Sequence, residues 1–118
     1  MSTSEIATVL AWYDAVNSRD VETLEKVSSD DIEIGDAHGA VQGLTALHNW
    51  VQGLTDGVTV GRMYVHDGVV VAEQTLSDGT NDASAFRVVH DHVTSVFRHP
   101  DLASALAATD LTENDLDA

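Results

Sequence analysis

The chain has 118 residues, 43% of them hydrophobic, which is enough for one core and too few for two. Five Lys and Arg stand against twenty Asp and Glu, a net charge of -15, so neither nucleic acid nor an anionic membrane surface is an expected partner; both need a basic face. Cysteine is absent, which removes disulfides, thiolate nucleophiles and thiolate metal sites.

The acids are mostly Asp, and Lys26 is the one lysine. A surface of this kind suits a protein kept soluble in concentrated salt, where repulsion among carboxylates is screened, and equally an ordinary acidic cytosolic protein. The first stretch, MSTSEIATVLAWYDAV, carries Glu5 and Asp14 and no basic n-region, and no apolar run reaches membrane-spanning length. A cytoplasmic location is expected.

Ile6, Val9, Leu10, Tyr13 and Val16 recur at helical spacing after Ser4 and predict an amphipathic helix ending near Asn17. Asp20 reads as the N-cap of a second, short helix with Val21, Leu24 and Val27 on one face and Glu22 four residues before Lys26. The run Asp31 to Asp36 alternates and is predicted to be a strand. After Gly43, the residues Leu44, Leu47, His48, Val51 and Leu54 return to the helical period, and Gly53 and Gly57 stop a third helix.

From there the period becomes two. Val58 to His66 and Val69 to Ser77 form a predicted hairpin on Asp67-Gly68, a dipeptide suited to a type I′ turn. Ser84 to Val89 and His92 to His99 form a second on His90-Asp91, with SDGTND linking the two. Pro100 ends the sheet, Asp101 caps a short helix over 102–108, and the acidic remainder from about residue 110 is a candidate for fraying.

This order gives an α+β fold in which three N-terminal helices pack on one face of a curved, largely antiparallel sheet, followed by a short C-terminal helix. If the turns alone set the register, Met63, Val65, Val70, Ala72, Gln74 and Leu76 share the helix-facing side of the first hairpin. Ser84, Phe86, Val88, Val93, Ser95, Phe97 and His99 do so in the second.

The segments WYDAVNSRDVETLEKVSSDDIEIGDAHGAVQGLTAL and FRVVHDHVTSVFRHPDLASALAATDL resemble the nuclear transport factor 2-like superfamily. More narrowly they resemble a SnoaL-like domain, the group related to polyketide cyclases and ketosteroid isomerase, over nearly the whole chain. The resemblance implies one domain over residues 1–118, a cone-shaped sheet closed by helices, a mostly apolar pocket, and a homodimer through the open sheet face. It puts Asp36 on the position of the isomerase's catalytic base, Trp12 where that enzyme has its oxyanion-holding tyrosine, and Ser84 where it has a protonated acid, with Asp82 two residues earlier. The Arg-x-Asp pattern of the related epoxide hydrolases does not occur.

Two functions stay open at this level. One is an isomerase-, cyclase- or dehydratase-type enzyme working on a small apolar carbonyl compound by general acid–base chemistry, without metal or other cofactor. Asp36 would then be the base, with Trp12, His38 or His99 as donors to developing negative charge. The other is a non-catalytic ligand-binding or dimerisation module, in which Asp36 only hydrogen-bonds its own turn. The expected pocket is lined by Trp12, His48, Met63, Gln74, Ser84, Phe86, Phe97 and His99. His48 doubles as a core or wall residue, His90-x-His92 reads as a solvated turn rather than a metal site, and Arg62 and Glu73 form a cross-strand pair.

Overall fold

The computed structural model describes residues 3–36, 38–53 and 57–117. Leu54, expected on the third helix, and Ala37, in the stretch after the first strand, lie outside the described residues.

Helix α1 (Thr3–Ser18) is followed by α2 (Val21–Lys26), strands β1 (Ser28–Asp36) and β2 (Gly39–Gln42), and α3 (Leu44–Gln52). Four strands come next, β3 (Val58–His66), β4 (Val69–Leu76), β5 (Asn81–Val89) and β6 (His92–His99), then α4 (Leu102–Thr109) and a single 3-10 turn, Glu113–Asp115. The six strands form one curved sheet in the order β2-β1-β6-β5-β4-β3. All pairings are antiparallel except β1 with β6. No helix among the described residues is long and apolar enough to cross a membrane.

Local chemistry accounts for the joints. The Asp20 carboxylate accepts from the Thr23 N–H and hydroxyl, and Asp101 accepts from the Ser104 N–H, so both expected N-caps are made. Asp67 and Gly68 have φ of 50° and 79°, and His90 and Asp91 have 51° and 63°; both hairpins therefore turn on two residues with positive φ. Strand β2 is a departure from expectation: GAVQ pairs with β1 although all four of its residues are exposed.

The sheet has two clothed faces. On the inner one, α1, α2 and α3 bury Val9, Trp12, Leu24 and Leu47 against Ile32, Val70, Phe86 and Val93. On the outer one, α4 and Leu111 cover Tyr64, Val71, Ala83 and Ala85. The acidic tail docks rather than hanging loose: Leu116 bridges Tyr64, the Asp117 N–H donates to the Met63 carbonyl at 2.8 Å, and the Tyr64 hydroxyl donates to Glu113 at 3.2 Å. This caps the free edge of β3.

One register change corrects the expected faces. In the β5–β6 ladder Arg87 pairs with Ser95 but Val88 pairs with Val93, so Thr94 is an extra residue. A bulge of one residue inverts every later side chain on its strand. Val96 and Arg98 therefore stand opposite Phe86 and Ser84 on the inner face, whereas Ser95, Phe97 and His99 face outward beside Ala85 and Ala83.

Candidate functional site

A cavity of about 450 Å3 opens between α1, α3 and the inner face of the sheet, a size suited to a small organic molecule. Its walls are mostly apolar: Trp12 and Val16 from α1, Ile34 from β1, Trp50 from α3, and Val58, Leu76 and Val96 from the sheet. Trp12 and Trp50 lie with ring centroids 5.5 Å apart, and Phe86 buttresses the site from below, 5.4 Å from Trp12 and 5.3 Å from Tyr13. Asn17 fixes the wall where α1 meets β3, donating to the Val58 carbonyl and accepting from the Val58 N–H, both at 2.9 Å.

At the buried end sits a polar cluster. The Tyr13 hydroxyl donates to Gln74 Oε1 at 2.7 Å, and the Ser84 hydroxyl donates to the same oxygen at 3.3 Å. Burial pushes the Tyr13 phenol well above its ordinary range, with the Ser84 hydrogen bond opposing and the Asp82 charge adding to the rise. Next to the cluster, Arg98 donates from Nε to Asp82 Oδ2, while Asp82 Oδ1 is buried without a partner among the described residues. Arg98, Asp78 and Asp36 form the rim.

The expected site residues divide by location. Trp12, Gln74 and Ser84 line the cavity. Trp12 is a wall and not a free donor, because its indole N–H is given to the Ser28 hydroxyl on β1 at 3.2 Å. Asp36 also lines the cavity, but it is exposed, and its Oδ1 accepts the His38 N–H at 2.8 Å in a turn that links β1 to β2. His38 is exposed on that turn and does not reach the cavity.

His48 leaves the site altogether: its Nε2 pairs with Glu25 at 2.8 Å and ties α3 to α2. Met63 is a core residue, and Phe86 supports the cavity from beneath without lining it. Phe97 and His99 line a separate groove on the outer face beside α4, for the bulge reason given above. His90 and His92 are at the exposed hairpin turn, and among the described residues no three His, Asp or Glu are grouped to hold a metal ion. Arg62 and Glu73 pair across β3 and β4 at 3.2 Å, as expected.

Tyr13, Trp50 and Arg98 are cavity residues that the sequence reading passed over. The missed signal for Arg98 is the spacing of Val93 and Val96, three residues instead of two, which marks an extra residue in the strand.

A profile of the SnoaL-like domain family matches residues 9–102. No curated protein matches the chain by sequence. Among solved structures, an NTF2-like protein of unknown function from Cytophaga hutchinsonii superposes with a TM-score of 0.72 at 14% identity, over 80% of this chain and 88% of that one. An LEH-like epoxide hydrolase from M. tuberculosis gives 0.72 at 17% identity over 89% and 84%. A candidate ketosteroid isomerase from Kribbella flavida gives 0.70 at 18% identity over 81% and 76%. At such identities the likeness is one of fold.

Proposed function

The chain belongs to the SnoaL-like domain family, and from that premise we propose that its cavity binds one small, mostly apolar molecule with a single hydrogen-bonding group at the buried end. The observation that carries this reading is the pairing of apolar walls with one polar cluster, Tyr13, Gln74 and Ser84, at the closed end. Both tryptophans of the chain line the cavity, so intrinsic fluorescence reports on occupancy. Titration with a panel of neutral ketones should give a saturable change that a cavity-filling Val96→Trp variant abolishes. A panel that leaves the emission untouched would remove the reading.

A second reading is favoured by one observation: Asp36 lines the same cavity, and among the described residues only its Oδ1 is hydrogen-bonded. Asp36 would then act as a general base, moving a proton on the carbon next to a bound carbonyl. Exchange of that carbon's hydrogen for deuterium, followed by NMR, is expected with the wild-type chain and not with Asp36→Asn. Equal exchange by the variant leaves Asp36 as a turn residue and the pocket as a binding site.

A further inference from the structure

We propose that Gln74 is the specificity-determining residue of the cavity, presenting a hydrogen-bond donor, so that the molecule bound is a neutral one bearing an acceptor such as a carbonyl oxygen, not an amine. This rests on the cavity being a ligand site. It adds the polarity of its buried end.

Gln74 is 5% exposed and Tyr13 4%, so each polar atom of the cluster must find its partner locally. Two hydroxyl hydrogens, from Tyr13 and Ser84, need an acceptor, and one amide oxygen with two lone pairs receives both. The reverse orientation would aim the amide hydrogens at the two hydroxyl oxygens and take from the Tyr13 hydroxyl the acceptor it uses at 2.7 Å. The amide is thus locked with Oε1 inward, and Nε2, which has no partner among the described residues, is left on the side of the cavity. Tyr13 spends its own proton on the lock, so it is a positioning residue, while Gln74 is the group that touches the ligand.

The rim adds a second filter. Asp36 and Asp78 stand there, and Arg98, the one cation among the described lining residues, is already paired with Asp82. An anionic ligand meets a carboxylate-lined mouth on a chain of net charge -15. A cation would pass the mouth and then meet the donor at the buried end.

The test compares acetophenone, ethylbenzene and 1-phenylethylamine, which share one carbon skeleton and differ in an acceptor, no polar group, or a cationic donor. Binding is followed by NMR through the indole resonances of Trp12 and Trp50 and the side-chain amide of Gln74. Acetophenone is expected to bind about tenfold tighter than either analogue, since a buried donor left unpaired is costly. Only acetophenone should shift the Gln74 amide. Gln74→Leu should bring the acetophenone-to-ethylbenzene affinity ratio from about ten to about one, with the indole resonances reporting that a ligand still enters the pocket. Tyr13→Phe, which frees the amide to turn, should narrow the preference for acetophenone over ethylbenzene. Equal binding of acetophenone and ethylbenzene by the wild-type chain overturns the role of Gln74 and leaves the pocket standing, as does tighter binding of the amine. If none of the three binds, the pocket reading itself fails, and this inference with it.

Discussion

Asn17 is an exposed polar residue at the end of α1, yet it imitates a strand: its side-chain amide makes both hydrogen bonds that a neighbouring backbone would offer Val58, each at 2.9 Å. Replacing it by Ala removes both. Each such bond contributes about 0.5 to 1.5 kcal/mol net, and because water can replace an exposed partner the lower half applies, about 1 to 2 kcal/mol for the pair. For a chain of this size that corresponds to a fall in Tm of about 3 to 12 °C. Asn17→Asp separates hydrogen bonding from packing, since the carboxylate still accepts from the Val58 N–H but sets an oxygen against the Val58 carbonyl in place of a donor. Thermal unfolding followed by circular dichroism should rank wild type above both variants, with Asp no better than Ala at pH 7. If Asp retains wild-type stability, or Ala costs nothing measurable, the clamp does not hold the wall of the cavity.

Two further outcomes follow from packing and burial. Gly35→Ala should destabilise by about 1 to 3 kcal/mol through overpacking, because its Cβ would lie 2.7 Å from Phe97 Cε1 and 2.8 Å from both Ala40 Cβ and the Gly39 carbonyl oxygen. Denaturant titration at wild-type midpoint would refute that close approach. Tyr13 and Tyr64, the only tyrosines, both have raised phenol pKa values, each chiefly through burial, with a hydrogen bond to Glu113 adding to the rise at Tyr64. Folding favours their neutral forms, so this contribution is intact below the unfolded value of about 10 and is lost as pH rises above it. Absorbance at alkaline pH should therefore show phenolate appearing together with unfolding; a native chain with ionised tyrosines would contradict the burial.

What the sequence disclosed and what it hid separate along physical lines. Caps and two-residue turns rest on neighbours a few positions apart, and Asp20, Asp101, Asp67-Gly68 and His90-Asp91 all stand where local chemistry puts them. Strand β2 left no trace because neither of its faces is buried, so GAVQ has no alternation to read; it exists by pairing with β1. The tail is similar, an acidic stretch whose order comes from the distant edge of β3. For the site, Trp12, Gln74 and Ser84 come before the extra residue at Thr94, which misplaced only the residues after it on β6, Phe97 and His99.

The location of the cavity follows from a gradient along the strands. On the inner face of β5 the side chains run Val88, Phe86, Ser84, Asp82, and on β4 they run Val70, Ala72, Gln74. At one end these positions are large and apolar and meet the helices as a packed core. At the other they become short or polar, and α1 lies over them on Trp12 and Tyr13 without filling the space. A core completed to that end would have carried further apolar side chains there. The chain instead buries Tyr13, Gln74, Ser84 and Asp82 at that end, with the half-exposed Arg98 paired to Asp82, at a cost in stability that packing alone does not explain. Three of them, Tyr13, Gln74 and Ser84, are satisfied by one another around a single amide and line the cavity, whereas the unpaired Asp82 Oδ1 is buried and lies outside the cavity lining.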